Sequence, residues 1–261
     1  MQAPHSDLSN GDLPRIAADI LARLREHRPR VHCITNSVAQ NFTANMLLAA
    51  GASPSMTIAR EEIVAFVESS DALLVNLGTF DAERREAAGL AIAAAQAKKL
   101  PWVLDPVLVD RAPPRAAFAR ELVAKGPAVM RLNRAEFSAL AGAEATDETV
   151  VRYARDRKLV VALSGEIDLA ADGTRMAALA NGHEWMARVT AMGCAGSALV
   201  AACLAVESDA WRASVAALLM LGVAGEIAAV NARGPGSFAA AIIDALHAVD
   251  GETLIARARV T

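Results

Sequence analysis

The feature that most constrains the fold is a series of short apolar runs, each closed by polar or small residues and each followed by a segment with helical spacing. Val31 to Ile34 leads into Thr35-Asn36, Ala72 to Leu77 into Gly78-Thr79, and Trp102 to Leu104 into Asp105-Pro106. Ala128 to Met130 leads into Arg131 to Asn133, and Val160 to Leu163 into Ser164-Gly165-Glu166. Unbroken apolar runs of this length are what strands buried on both faces require. The intervening segments Asn41 to Ala50, Arg60 to Ser69, Asp81 to Lys99, Pro114 to Ala124, Glu136 to Ala141 and Thr149 to Arg157 read as helices, as does Ile16 to Arg25 before the first strand. Gly51 closes the first of them, Ala52 to Ile58 is a strand or turn, and Glu61 and Glu62 are placed in a first helical turn, where the dipole favours acids. Such alternation predicts an α/β fold with a mostly parallel central sheet and helices on both faces.

After Glu166 the pattern changes. Asp168 to Ala171 and Arg175 to Ala180 flank Asp172-Gly173-Thr174, a hairpin signal, and long apolar segments follow. Apolar residues make up 54% and aromatics 4% of the 261 residues, which suits small side chains packed between helices and a buried sheet better than an all-β fold. The chain reads as one domain over residues 1–261, with residues 1–14 as a flexible N-terminal segment. Met1 to Pro14 is polar and has no apolar run before a cleavage site, so it does not read as a signal peptide. Ala213 to Ala232 is the longest apolar stretch, and its interruption by Gly222, Gly225 and Glu226 favours a buried helix over a membrane span. A formal net charge of −3 and the lack of long basic runs point away from nucleic acid and anionic membranes as partners. Cys33, Cys194 and Cys203 form no CxxC pair, which argues against a disulfide scaffold or zinc site and for a cytoplasmic setting.

In open parallel sheets ligands bind beyond the carboxyl ends of the strands. The candidate residues there are Asn36, Gly78, Thr79, Asp105, Arg131, Asn133, Glu136, Ser164 and Glu166. Asp105 and Glu136 together suit a hydrated Mg²⁺, an ion held by one or two carboxylates plus substrate phosphates, and Arg131 suits a phosphate. Singly, an aspartate before proline also starts turns, and a glutamate early in a helix also serves its dipole; recurrence at successive strand ends is what favours a site. The run Thr190 to Ser197 opens into the apolar segment Ala198 to Val206. A helix start without bulky side chains leaves backbone N–H groups for an anion, and Cys194 in that turn is expected to lose its proton more easily than a free thiol. The same run also suits a helix packed closely on a strand, and the residues leave both readings open. A P-loop sequence does not occur, and no Gly-x-Gly-x-x-Gly follows the first strand. His32 and His183 lie beside apolar residues and read as structural groups, His5, His27 and His247 have no metal-spaced partner, and Cys33 and Cys203 read as buried small hydrophobes.

Six segments in order resemble the hydroxyethylthiazole kinases of the ribokinase-like superfamily. They are Val31-His32-Cys33-Ile34-Thr35-Asn36, Asn41-Phe42-Thr43-Ala44-Asn45, Gly51-Ala52-Ser53-Pro54-Ser55-Met56, Leu104-Asp105-Pro106-Val107, Ala180-Asn181-Gly182-His183 and Gly234-Pro235-Gly236-Ser237-Phe238. The resemblance spans roughly Arg30 to Leu246 and implies a ribokinase-like three-layer sandwich that phosphorylates the alcohol of 4-methyl-5-(2-hydroxyethyl)thiazole with ATP and Mg²⁺. It also implies a homotrimer with thiazole sites at subunit boundaries. By resemblance, Asn36, Val38, Met56, Gly78 and Ala191 bind the thiazole, while Arg131, Asn133, Ser164, Gly193, Ala195 and Gly196 contact ATP or its phosphates. Asp105 and Glu136 are associated with Mg²⁺, and Cys194 takes the place of the aspartate that acts as base in other ribokinase-like enzymes.

Three departures stand out. The family's Gly-Thr-Gly-Cys is Ala191-Met192-Gly193-Cys194, its glycine-containing loop after Asp-Pro-Val is Leu108 to Pro114, and the glycine of its Arg-Gly-Asn is Leu132. All three are expected near the phosphate path or the substrate pocket. They keep two alternatives in view: a ribokinase-like kinase for another small alcohol or a relative of the NAD(P)H-hydrate dehydratases, and a catalytically silent thiazole- or nucleotide-binding protein.

Overall fold

The computed structural model describes residues 10–261. The flexible segment expected over 1–14 lies outside the described residues as far as residue 9, and beyond that the expectation is corrected. Asn10–Asp12 form a 3-10 turn, and helix α1 (Leu13–His27) has Pro14 in its first turn and Leu13 buried in the core. Proline suits that position because the amide it lacks would have no helical acceptor.

Eight strands form one sheet among the described residues: β1 (Arg30–Ile34), β2 (Ser53–Ser55), β3 (Ala72–Asn76), β4 (Trp102–Asp105), β5 (Val129–Asn133), β6 (Val160–Ser164), β7 (Asp168–Ala171) and β8 (Met176–Leu179). Their order is β2-β1-β3-β4-β5-β6-β7-β8, parallel from β2 to β6 and antiparallel at the β6–β7 and β7–β8 pairs. One face is covered by α1, α2 (Gln40–Ala50), α8 (Met192–Leu204), α9 (Ala210–Asn231), α10 (Pro235–Ala248) and α11 (Gly251–Arg257). The other is covered by α3 (Ile63–Glu68), α4 (Ala82–Lys98), α5 (Pro113–Val123), α6 (Arg134–Ala141) and α7 (Asp147–Arg157).

Strand alternation divides the core between these layers. On β3, Ala72 and Leu74 face the α8 layer while Leu73 and Val75 face the other. The same alternation aims Asn76 and Asp105, the last residues of β3 and β4, and Arg131, in the middle of β5, at the α8 side, and sends Leu132 into the opposite core with Met130 and Leu104. Leu132 therefore does not face the site, contrary to the expectation. Helix α9 is long and apolar enough to cross a membrane, and 78% of its most apolar window is buried inside the protein, which accounts for its hydropathy as a core helix.

Several element boundaries differ from the sequence reading, two of them at residues singled out there. Helix α3 begins at Ile63, and Glu62 precedes it, accepting a hydrogen bond from Thr57 Oγ1 at 2.9 Å, so neither Glu61 nor Glu62 lies in the first turn. Strand β5 continues through Arg131 to Asn133, in register with Ala162 to Ser164. Helix α8 starts at Met192, so the small-residue run forms a helix start, as expected, and the helix ends at Leu204.

Candidate active site

Helix α8 crosses β1, β3 and β4, so its first two turns meet the polar ends of those strands. Asn36 follows β1; its Oδ1 accepts the Ala39 N–H at 2.9 Å, which shapes the turn into α2. Its Nδ2 donates to Asn76 Oδ1 at 3.0 Å and to Cys194 Sγ at 3.3 Å. Asn76, in register with Asp105, donates from Nδ2 to Asp105 Oδ2 at 2.7 Å, and Ser197 Oγ donates to the same oxygen at 2.8 Å. Gly78 closes the cluster: its N–H donates to Asn76 Oδ1 at 3.0 Å, and a Cβ there would come within 2.6 Å of Asn36 Nδ2.

Burial is the main cause of two unusual acidities. Asp105 is pushed up to about 6 by burial, opposed by Arg131 and by the hydrogen bonds of Ser197 and Asn76, with the charge of Glu136 adding to the rise. The Cys194 thiol is pushed up to about 11 by burial and by the charge of Asp105, against the hydrogen bonds of Asn76 and Asn36. The expectation of easy proton loss is therefore corrected. Desolvation and a neighbouring carboxylate outweigh the helix dipole, and Cys194 is a neutral thiol at pH 7.

Arg131 projects from β5 onto the start of α8, where Nη1 donates to the Gly193 carbonyl at 2.9 Å. The small residues of α8 make this approach possible. A Cβ on Gly196 would lie 2.9 Å from Arg131 Nη2 and 3.0 Å from Leu221 Cδ2, so Gly196 holds space for the guanidinium. Arg131 Nε is buried without a partner, an orphaned donor that suits an incoming anion. The backbone donors expected over Gly193 to Gly196 need one correction. The Ala195 N–H donates to Ala191 O at 2.9 Å within the helix turn, which leaves Gly193 and Cys194 as the amides ahead of the helical ladder. Ala191 itself is left-handed at φ 70°, the conformation glycine adopts most readily, so the turn takes a glycine-type conformation with a methyl on it.

Glu136 and Asn133 form a capping box at the start of α6, with Asn133 Oδ1 accepting from Glu136 N and Glu136 Oε2 from Asn133 N, both at 2.9 Å. Glu136 Oε1 also accepts the Leu108 N–H at 2.6 Å. This bond pins the loop after β4, where Val107 and Leu108 are both left-handed at φ 43° and 55° without a glycine. Arg115 clamps the same loop, donating to Val107 O at 2.7 Å and Gly78 O at 3.1 Å. Asp105 and Glu136 suit a divalent cation, whose charge would relieve the repulsion that helps to raise Asp105. Among the described residues no cluster of three or more His, Cys, Asp or Glu forms a cage, so further ligands would come from phosphate and water.

Beyond Arg131 opens a cavity of about 720 Å³ lined by Ser164, Gly165, Glu166, Asp168, Asn181, His183, Met186, Met192 and Gly193. Of the residues singled out in the sequence as site candidates, Arg131, Ser164, Glu166 and Gly193 line this cavity. The sequence reading misses Asp168, whose carboxyl accepts the Gly165 N–H at 2.9 Å and is pushed up by burial against the pull of Arg131. It also misses Asn76 and Ser197. An asparagine inside the otherwise apolar run 72–77 was the available signal for the first; the second shows only once α8 is laid over β4. Met56 is half-buried against the α8-side core, while Val38 is 70% exposed, so the thiazole-side candidates do not form a closed pocket within the chain. His32 is a structural group as read, bonded to Ser55 Oγ at 2.8 Å and Thr57 O at 3.0 Å and pushed down to about 4 by burial. Cys33 and Cys203 are fully buried.

Residues 21–252 match the hydroxyethylthiazole kinase family. A relative from Agrobacterium fabrum, described as a probable hydroxyethylthiazole kinase, is 47% identical over 253 residues, covering 96% of this chain and 98% of its own. The solved hydroxyethylthiazole kinase of Pyrococcus horikoshii superposes with a TM-score of 0.91 at 37% identity, over 95% of this chain and 98% of that one. A ribokinase-like superfamily protein from Enterococcus faecalis, 14% identical, shares the fold with a TM-score of 0.66 over 94% of this chain and 98% of its own.

Proposed function

Because the chain belongs to the hydroxyethylthiazole kinase family, we propose that it transfers the γ-phosphoryl group of ATP to the primary hydroxyl of 4-methyl-5-(2-hydroxyethyl)thiazole, a step of thiamin salvage. The observation that carries this reading is the contact of Arg131 with Gly193. It joins a buried cation, the open amides of α8 and the Asp105 network at the mouth of a cavity large enough for a nucleotide.

Phosphoryl transfer asks for alignment and for neutralisation of charge on the migrating group. Arg131 and the Gly193 and Cys194 amides meet the phosphates, and Ser164 lines the nucleotide side. Asp105 and Glu136 would hold Mg²⁺ together with phosphate and water, and the ion would supply neutralisation of the phosphate charge. Asn36, Val38, Met56, Gly78 and Ala191 receive the thiazole, and Cys194 points its sulfur at the same place. As a neutral thiol, Cys194 orients the attacking hydroxyl by hydrogen bonding. In a loose transition state the hydroxyl proton departs late, so a strong base is not required at the start. The oxygen bonds to the γ-phosphorus as the bond to the β-phosphate oxygen breaks, the hydroxyl proton passes to an oxygen of the transferred phosphoryl group and on to solvent, and ADP leaves.

Two further statements belong to the same reading. The chain acts as one kinase domain within a homotrimer, whose neighbouring subunit covers the open thiazole side around the exposed Val38. It acts in the cytoplasm, a setting suited to three free cysteines. The deciding experiment is ADP release from Mg-ATP with and without hydroxyethylthiazole, on the wild type and Cys194→Ala. Thiazole-dependent turnover that falls in the variant supports the assignment; thiazole binding without turnover overturns it in favour of a silent binding protein.

A further inference from the structure

The nucleotide-side cavity has a wall, residues 180–183, that is held from behind by the end of the chain. Residues 259–261 run antiparallel along β8: Ala178 and Thr261 exchange N–H···O bonds at 3.0 Å, and Ala180 N–H donates to Arg259 O at 2.9 Å. Asn181 lines the cavity, yet its polar atoms face away into this segment. Its Nδ2 donates to Arg257 O and to Glu226 Oε1, both at 2.9 Å, and its Oδ1 accepts the Arg259 N–H at 2.7 Å. The Gly182 N–H donates to the same Glu226 oxygen at 3.1 Å. Arg259 then closes the cluster, donating from Nη2 to Glu226 Oε1 at 2.6 Å and to Ala180 O at 2.5 Å.

Helix α9 is cut to receive this wall. A Cβ on Gly222 would lie 2.8 Å from Asn181 Cβ and from its carbonyl oxygen, and one on Gly225 would lie 2.6 Å from Met186 Sδ. The residues that interrupt the apolar run of α9 therefore all serve the cavity wall, Gly222 and Gly225 by giving it room and Glu226 by anchoring it. Glu226 is an anion one hydrogen bond behind a cavity read as binding a polyanion, and Arg259 is the cation paired with it.

We propose that the C-terminal segment 257–261 is a strap that positions the nucleotide wall: the backbone N–H of residue 259 fixes Asn181, and the guanidinium of Arg259, a positioning residue, cancels the charge of Glu226. The inference rests on the reading of the cavity as the ATP site. It predicts a defect confined to nucleotide, because among the described residues no hydrogen bond or ion pair joins the thiazole-side residues Asn36, Gly78 and Cys194 to the strap.

The test compares full-length wild type with Arg259→Met, Glu226→Gln and the double variant, by calorimetric binding of Mg-ATP and by steady-state kinetics with each substrate varied. Arg259 is largely exposed, so Arg259→Met is expected to fold, and a cooperative melt checks this. Arg259→Met is expected to raise both Kd and KM for ATP by roughly three- to tenfold, with kcat and the thiazole KM held within about twofold. Adding Glu226→Gln is expected to recover most of that loss, which a purely structural defect would not do. Folded Arg259→Met that binds ATP like the wild type, or a loss that the double variant does not recover, overturns the strap. Failure of the wild type itself to bind Mg-ATP overturns the nucleotide reading of the cavity, and the strap with it.

Discussion

The Nδ2 of Asn36 lies 3.3 Å from the sulfur of Cys194 and 3.0 Å from Oδ1 of Asn76, so one amide group links the thiol to the strand ends. Through Asn76 the same chain reaches Asp105, and Ser197 joins it there from one helical turn beyond Cys194. The proposed nucleophile-orienting thiol and a proposed metal ligand thus belong to one hydrogen-bonded network, and perturbing either is expected to be felt by the other.

The acidity of Cys194 is directly testable. A rise from 9.0 to about 11 lowers the thiolate fraction at pH 8 by roughly a hundredfold relative to an unperturbed thiol. Alkylation by iodoacetamide, read by mass spectrometry, is expected to be correspondingly slow and to accelerate tenfold per pH unit from pH 8 to 10. Cys33 and Cys203 are fully buried and are expected to stay unlabelled in the folded protein. Fast labelling of Cys194 at pH 7 would mean that it is a thiolate and the base.

Asp105 should destabilise the metal-free protein at neutral pH. Its carboxyl is raised from 3.8 to about 6 in the folded state, so the fold binds the proton more tightly than the unfolded chain does. That stability is fully present below about pH 4 and is lost as pH rises through about 6. At about 1.4 kcal/mol per tenfold change in acidity, the difference is roughly 3 kcal/mol. In EDTA, Asp105→Asn is expected to melt several degrees above wild type at pH 7.5 and close to it at pH 4. Its kinase activity is expected to fall by at least about a hundredfold.

Gly196 and Gly193 should differ in their tolerance of a methyl group. The new Cβ would crowd Arg131 Nη2 at 2.9 Å from position 196 but lies 3.5 Å from Nη1 at position 193. Gly196→Ala is expected to raise the ATP KM by about tenfold or more by displacing the guanidinium, and Gly193→Ala by much less. Steady-state kinetics with ATP varied separates the two.

The left-handed Ala191 and Leu108 store strain. Each costs about 1–2 kcal/mol relative to an unstrained residue, partly offset in a glycine variant by the larger entropy of the unfolded chain. Ala191→Gly and Leu108→Gly are each expected to raise the melting temperature slightly, or leave it unchanged, with activity retained. A loss of stability in both would show that their side chains contribute more through packing than their backbones lose.

Much of the architecture was legible because its signals are local. The apolar runs, the closing residues Gly51 and Gly78-Thr79, and the hairpin at Asp172-Gly173-Thr174 place strands and turns to within a residue or two. The misplacements arose where a distant contact decided the outcome. Arg131 to Asn133 extend β5 because β6 offers matching partners in register. Leu132 looked like a departure in the site, yet alternation along β5 turns it into the opposite core.

The residues of the site divide in the same way. Which polar groups stand at strand ends follows from the sequence by itself, because period and punctuation are properties of adjacent residues. Which of them meet does not: Asn36, Asn76, Asp105 and Ser197 come from four separate segments, and the sheet order with α8 laid across it brings them within hydrogen-bonding distance. The acidity of Cys194 belongs to that second class. A helix start alone would lower it, and the desolvation and the nearby Asp105 carboxylate that raise it exist only when the chain is folded.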